Sequence, residues 1–114
     1  MLIEKVRYEL TQPIITSKAQ IESRDGWVVA LGEGEYTGCG EILPLEGWSS
    51  VTMEEAYSQL ISYKHSETSL PELSNEVQAA ISLAIWNLEA SKKGESLVER
   101  LGGGADCVKV NALL

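Results

Sequence analysis

Cysteine and histidine are scarce in this sequence, and their scarcity limits the metal chemistry it can support. There are two cysteines, Cys39 and Cys107, and a single histidine, His65. A structural zinc site needs a complete tetrahedral set of such ligands at short spacings, which these residues do not provide. We therefore expect two reduced thiols in a cytoplasmic protein.

Positive charge is also scarce, because 9 lysines and arginines face 17 aspartates and glutamates, giving a net charge of −8. A surface this negative repels nucleic-acid phosphates and anionic membranes, so we expect neither as a partner. The N-terminal stretch MLIEKVRYEL carries charges inside its apolar run, unlike a signal peptide or a membrane span. The 114 residues are enough for one domain with a modest core.

The first half of the chain has the alternation typical of β-strands. Residues 4–10 alternate charged and apolar side chains, which predicts a half-buried strand. Pro13 lacks a backbone N–H, so residues 11–20 are predicted to form a loop. Residues 22–43 predict a hairpin whose turn is GEGE, residues 32–35. The expected result is a three-stranded antiparallel meander with a long loop before its second strand.

The second half changes to helical periodicity and contains two capping boxes. Thr52 and Glu55 are spaced to satisfy each other's backbone N–H groups, which predicts a helix running to about Lys64. The stretch SLVE, residues 96–99, predicts a second box that begins a short helix through Leu101.

A longer helix is predicted over residues 75–93, capped by Ser74 and ended by Gly94. It carries two apolar stripes: Val77, Ile81, Ala84, Ile85 and Leu88 form one, and Ala79, Leu83, Trp86 and Ala90 the other. Two stripes need two partners, and the small meander can supply only one. Residues 108–114 look like the start of a buried strand. We therefore expect the front part of a larger protein, the alternative being a fourth strand on the edge of the meander.

Some patterns suggest chemistry but have plainer interpretations. The glycines of GEGEYTG have the wrong spacing for a dinucleotide-binding loop and open no helix, so they predict a hairpin turn. Four glutamates could bind a hard cation or, more commonly, form a solvated charged surface: Glu33, Glu35, Glu41 and Glu46. Lys109 alternates with valines and is expected to face outward from a strand, the alternative being a buried base.

Two loops form the better candidate site, since the connection from strand one to strand two and the exit of strand three fall at the same end of a meander. Their candidate substrate-contacting residues are Thr16, Ser17, Lys18, Leu45, Gly47, Trp48 and Ser49. An apolar wall, an indole and a cation would suit an organic anion. The alternative for Trp48 is packing on its own core.

Three stretches, in this order, resemble a known family. SRDGWVVALGEGEYTGCGEILPLEGWS is similar to a family hairpin and its following loop, AIWNLEASKKGESLVERLGGG to a family helix, and VKVNALL to a first barrel strand. Together they resemble the N-terminal capping domain of the enolase superfamily, in the muconate-lactonizing branch and most like o-succinylbenzoate synthases. The sequence departs from that pattern with Cys39 in place of Trp, Asn87 in place of Asp and Ser96 in place of Pro.

The resemblance implies an α+β fold: a capping domain over residues 1–104, with a three-stranded antiparallel meander and three helices, then the first strand of a (β/α) barrel over residues 105–114. It places the catalytic lysines and the Mg²⁺ ligands on later barrel strands. We therefore expect no catalytic or metal-binding residue in this chain, Lys109 included.

The function expected from the resemblance is that of a substrate-capping fragment, inactive alone, of an o-succinylbenzoate synthase-like enzyme. Such an enzyme carries out a Mg²⁺-dependent dehydration in menaquinone biosynthesis. Its expected partners are a small carboxylate substrate and its own barrel. The alternatives are a cap from a dipeptide epimerase or an N-acylamino-acid racemase, or a stand-alone interaction domain.

Overall fold

The computed structural model describes residues 1–17 and 19–103, and it shows three strands followed by helices. The elements are β1 (Leu2–Ile15), β2 (Gln20–Glu33), β3 (Tyr36–Ile42), α1 (Met53–Lys64), a 3-10 turn (Leu70–Glu72), α2 (Asn75–Lys92) and α3 (Leu97–Arg100). The predicted order of a meander and three helices is confirmed. The barrel strand and domain boundary predicted near residues 104 and 105, together with Lys109 and Cys107, lie outside the described residues.

The three strands form one antiparallel sheet with β2 in the centre. Val29 of β2 pairs with Ile3 on one side and with Gly40 on the other. The β2–β3 connection is a two-residue turn in which Gly34 has φ +62°, a conformation that glycine adopts without steric cost. The predicted GEGE hairpin is therefore confirmed.

The loop predicted over residues 11–20 is wrong. β1 continues to Ile15 and pairs there with Gln20, so that only residues 16–19 connect the two strands. The ladder is interrupted instead, because residues 10–13 of β1 lie opposite Glu22 alone. Pro13 falls inside this irregularity, where no ladder N–H is required, and a proline is tolerated at such a position of an edge strand.

Helix α2 lies directly on β3, with its backbone against two glycines. A Cβ atom built on Gly40 would meet the Ala80 carbonyl oxygen at 1.8 Å, and one on Gly38 would meet the Leu88 amide nitrogen at 2.2 Å. The core gathers around this contact and includes the fully buried Ile81. Glycine on β3 is therefore what allows the helix and the sheet to pack this closely.

The capping box predicted at Thr52 and Glu55 is confirmed. Only half of the box predicted at Ser96 and Glu99 forms, because the Glu99 carboxylate accepts from the Ser96 hydroxyl and not from its N–H. The Thr52 hydroxyl accepts from the Glu55 N–H while the Glu55 carboxylate accepts from the Thr52 N–H, and the Ser96 hydroxyl accepts from the α3 backbone. The prediction that the Ser74 side chain caps α2 is wrong. Ser74 occupies the N-cap position of α2, but its N–H and hydroxyl both donate to Gln59 Oε1 of α1, at 2.9 Å each.

One face of α2 is covered by the sheet and the other is not, among the described residues. Leu83 is 41% exposed and Trp86 43% exposed, and the Arg100 guanidinium lies 5.7 Å from the Trp86 ring centroid. Ile85, predicted on the covered stripe, is also exposed, whereas Ala90 of the second stripe is buried. The prediction of a second apolar surface on this helix is thus met by Leu83 and Trp86. In the described part of the chain, no helix has the length and apolar character to cross a membrane.

Candidate functional site

A groove of about 1010 Å³ lies at the end of the sheet where β1 turns into β2 and where β3 ends. Thr16 and residues 19–25 form one side, and residues 44–55 form the other. The structure therefore brings together the two segments that the sequence places at one end of the meander.

The predicted substrate-contacting residues fall mostly on this groove. The lining includes Thr16, Leu45, Gly47, Trp48 and Ser49. Ser17 lies exposed in the β1–β2 turn without lining the groove, and Lys18 is outside the described residues. Contact of any of them with a substrate stays a prediction.

Residues 43–50, here called the Trp48 loop, are folded onto themselves. The Trp48 and Ser49 N–H groups both donate to the Leu45 carbonyl, at 3.0 and 2.8 Å, and the Leu45 N–H donates to Ser49 Oγ at 2.7 Å. Gly47 has φ +83°, which allows the chain to reverse at this point. Trp48 is 65% exposed, so the alternative that it packs in its own core is wrong.

The start of the Trp48 loop is held by the two ends of the Arg24-Asp25-Gly26 stretch of β2. Arg24 Nη2 donates to the Leu43 carbonyl at 2.6 Å. A Cβ atom on Gly26 would come within 2.3 Å of Leu43 Cδ2, so glycine makes room for Leu43 to lie against β2. Arg24 and Gly26, in the stretch that resembles the family hairpin, thus each have a local structural role.

The end of the Trp48 loop is held by the first turn of α2. The N–H and the hydroxyl of Ser50 both donate to Glu76 Oε1, at 2.7 and 2.8 Å. These hydrogen bonds, the Ser50 N–H first, lower the pKa of Glu76. Just beyond the loop, Trp27 Nε1 donates to the Met53 carbonyl at 2.9 Å and fixes the start of α1.

The opposite side of the groove begins with a turn closed by its own atoms. The Thr16 N–H donates to the Ala19 carbonyl at 2.9 Å. The Thr16 hydroxyl also bridges the backbone of Ala19, at 3.1 Å to its carbonyl and 3.1 Å from its N–H. Both sides of the groove are therefore ordered by short-range hydrogen bonds.

The described lining of the groove is acidic, whereas the sequence predicted a site for an organic anion. Its described lining contains five carboxylates and one guanidinium: Glu22, Asp25, Glu46, Glu54 and Glu55, with Arg24. Arg24 donates to the Leu43 carbonyl, and the cation predicted from the sequence, Lys18, is outside the described residues. Among the described lining residues, the one cation is therefore already bonded to a backbone carbonyl.

The described residues do not fit a magnesium site. No grouping of three metal-ligating side chains occurs among them. Glu33, one of the four glutamates considered as cation ligands, forms a 2.9 Å ion pair with Lys92, and Glu41 accepts a hydrogen bond from the Tyr8 hydroxyl. That bond raises the pKa of Tyr8. We assign no metal-dependent step to these residues.

Sequence reasoning missed the two residues that fasten the Trp48 loop. Arg24 was part of a recognised pattern, but the pattern alone did not show that its guanidinium bonds to Leu43. Glu76 looked like an ordinary acid in the first turn of a helix, where negative charge is generally favourable. Only the tertiary fold brings Glu76 next to Ser50, 26 positions earlier in the chain.

Solved structures define the class of domain. An enolase family member from Agrobacterium tumefaciens with homology to dipeptide epimerases, solved with sodium and L-Ala-L-Glu, superposes with a TM-score of 0.75. It is 19% identical, and the match covers 91% of this chain and 34% of that one. A probable mandelate racemase from Alicyclobacillus acidocaldarius gives a TM-score of 0.73 at 22% identity, over 91% and 33%. The fold is that of the enolase-superfamily N-terminal capping domain.

Sequence comparison narrows the class to one family. Residues 4–87 match the family described as MenC, N-terminal domain, and the chain belongs to this family. The o-succinylbenzoate synthase of Escherichia coli O9:H4 (strain HS) is 35% identical over 79 residues. That match covers 66% of this chain and 24% of the relative, so the chain corresponds to about a quarter of the length of that enzyme.

Proposed function

We propose that this chain is the substrate-capping domain of an o-succinylbenzoate synthase-like lyase. The observation that carries the proposal is Trp48, which is 65% exposed on a loop fastened at both ends beside a groove. An indole held in place but left outside its own core suits contact with a molecule outside the domain. Membership of the MenC N-terminal domain family supports the choice of enzyme.

The reaction that we propose for the whole enzyme is the Mg²⁺-dependent dehydration of a succinyl-hydroxycyclohexadiene carboxylate to o-succinylbenzoate, on the route to menaquinone. Magnesium would supply charge stabilisation at the reacting carboxylate, from a site outside the described residues. The part of this chain is to shape the pocket and to exclude water with the Trp48 loop and the β1–β2 turn. Without a barrel, the chain should be inactive.

The partner that we propose for the exposed face of α2 is the barrel of the same enzyme. Leu83 and Trp86 present apolar surface there, and such surface usually marks an interface. Light scattering on the purified chain tests this assignment. Association or aggregation that a Leu83→Ser, Trp86→Ser variant abolishes would support an interface, whereas a monodisperse monomer with stability unchanged by that variant would favour a stand-alone domain.

The acidity of the groove favours a second candidate, the cap of a dipeptide epimerase. Five carboxylates stand among the described lining residues, and a substrate with a free amine would be attracted to them more than a dicarboxylate would. The rival activity is accessible to the same fold, since the enolase family member from Agrobacterium tumefaciens has homology to dipeptide epimerases and was solved with L-Ala-L-Glu.

A chimera separates the two candidates. Residues 1–103 would replace the corresponding domain of the Escherichia coli relative, and the control chimera would carry the cap of the Agrobacterium tumefaciens protein. We expect the first chimera to dehydrate the cyclohexadiene substrate with a KM within about tenfold of the parent, and the control to lose most activity. A cooperatively folded first chimera that performs no better than the control would contradict the proposal. Dehydration by the 114-residue chain alone with Mg²⁺ would contradict it as well.

A further inference from the structure

We propose that Glu76 of α2 is a positioning residue that fixes the Trp48 loop over the groove by binding Ser50. Glu76 lies in neither of the two loops predicted to contact substrate. The proposal rests on the proposed function for its consequence on substrate binding, but its structural part can be tested independently.

The first step of the argument is the hydrogen bonding of the Glu76 carboxylate. It accepts from the Ser50 N–H at 2.7 Å and from the Ser50 hydroxyl at 2.8 Å. Bonds to an ionised acceptor are stronger than bonds between neutral groups. Ser49 Oγ in turn accepts from the Leu45 N–H at 2.7 Å. Ser50, which binds Glu76, directly follows Ser49, so the carboxylate holds the end of a segment whose two limbs are joined by the Leu45–Ser49 bond, with Trp48 between them.

The second step is the stiffness of the element that carries Glu76. α2 is the helix whose backbone contacts β3, where a Cβ atom on Gly40 would lie 1.8 Å from the Ala80 carbonyl oxygen. Val77, adjacent to Glu76, is fully buried in the core. The carboxylate also lies in the first turn of α2, where the helix dipole favours negative charge. The loop is thus attached to a helix that packs closely on the sheet and into the core.

The third step concerns what changes when this attachment is lost. Arg24 holds the start of the loop through Leu43, so Glu76 provides the fastening at the far end. Without it, the far end of the loop would lose its described attachment to α2, and Trp48 should sample more orientations above the groove. The loop would then have to become ordered when substrate binds. This ordering cost weakens substrate affinity although no group that contacts the substrate has changed.

The structural part is tested on the 114-residue chain with 5-fluorotryptophan and ¹⁹F NMR. Three tryptophans give three signals, and Trp48→Phe identifies the relevant one. Glu76→Gln should shift or broaden the Trp48 signal and leave the other two in place. Glu72→Gln, which removes a carboxylate just before α2 without a described bond to the loop, should change none. An unchanged Trp48 signal in a folded Glu76→Gln chain would overturn the inference.

A double-mutant cycle keeps the test decisive if Glu76→Gln lowers stability. Ser50→Ala removes the hydroxyl donor, so its effect on the Trp48 signal should be largely absent in a Glu76→Ala background, which has no side-chain acceptor. Additive effects of the two substitutions would contradict a shared contact and overturn the inference.

The functional part is tested by kinetics of the chimera described above. Glu76→Gln should raise KM on the order of fivefold with kcat changed less than twofold, because the bonds from Ser50 lose their charge assistance at a distance from the chemistry. A change in the Trp48 signal with an unaltered KM would support the positioning by Glu76 and contradict the substrate-binding part of the proposed function. If Glu76 has a purely structural role, Glu76→Gln would lower the melting temperature but change neither the Trp48 signal nor KM. That result would overturn the inference.

Discussion

The α2–β3 contact and the Trp48 loop are held together in opposite ways. At the contact, backbone atoms lie against Gly38 and Gly40, and the surroundings are apolar and closed. At the loop, polar side chains such as Arg24 and Glu76 fasten a segment whose tip, Trp48, stays exposed. The first region stabilises the domain through packing density, whereas the second places a side chain outside the domain. Substitutions should therefore affect stability in the first region and binding in the second.

The largest loss of stability is expected from a substitution at Gly40, where α2 contacts β3 directly. Gly40→Ala would place a methyl group 1.8 Å from the Ala80 carbonyl oxygen, so the helix must move away from the sheet. We expect a loss of about 3 kcal/mol or more in the free energy of unfolding, measured by urea denaturation. Gly32→Ala is the matched control, since its nearest contact is 3.8 Å away, and it should change stability by less than about 1 kcal/mol. Similar losses for both variants would show that α2 does not depend on the glycine contact.

A smaller effect is expected at the polar margin of the same contact. Asn87 Nδ2 donates to the Cys39 carbonyl at 2.8 Å, which joins two positions where the sequence departs from its family resemblance. Asn87→Asp replaces the donor with a carboxylate facing that carbonyl and should cost about 1–3 kcal/mol at pH 7. The same substitution at Asn75, the first residue of α2, should be neutral or slightly stabilising because of the helix dipole. Thermal melts of both variants would reveal whether the effect is specific to residue 87.

A still smaller effect on stability is expected at Glu76, with a defined pH dependence. Its pKa is lower in the folded chain than the ordinary value of 4.5, because Ser50 donates to the carboxylate. Its contribution is therefore fully present above pH 4.5 and is lost as pH falls through the lowered pKa. Parent and Glu76→Gln should differ by less than about 1.5 kcal/mol at pH 7, and the difference should disappear in strong acid. A difference that grows on acidification would contradict the described bonding.

Local signals in the sequence were sufficient for most of the fold. The Thr52–Glu55 capping box and the GEGE turn each depend on residues a few positions apart, and both are found as predicted. The extent of β1 was wrong because Pro13 was interpreted as the end of the strand. The hairpin instead accommodates the proline in an irregular stretch, and this depends on pairing with β2 rather than on residues near Pro13.

The candidate site was predictable only in outline. Because a meander places two connections at one end of its sheet, the sequence located both sides of the groove. The bonds that fasten the loop join Arg24 to Leu43 and Ser50 to Glu76, over 19 and 26 positions. The bond that displaced the predicted Ser74 cap joins it to Gln59 over 15 positions. No local pattern specifies such bonds, since they depend on how α1, α2 and the sheet pack together.

The most direct test of the account is Trp48→Ala, measured both in the 114-residue chain and in the chimera with the Escherichia coli barrel. Because Trp48 is 65% exposed, the free energy of unfolding should change by less than about 0.5 kcal/mol. In the chimera, KM for the cyclohexadiene substrate should rise about tenfold through loss of the indole contact and of water exclusion. An unchanged KM, or a loss of stability comparable to that of Gly40→Ala, would contradict the claim that this loop serves binding rather than folding.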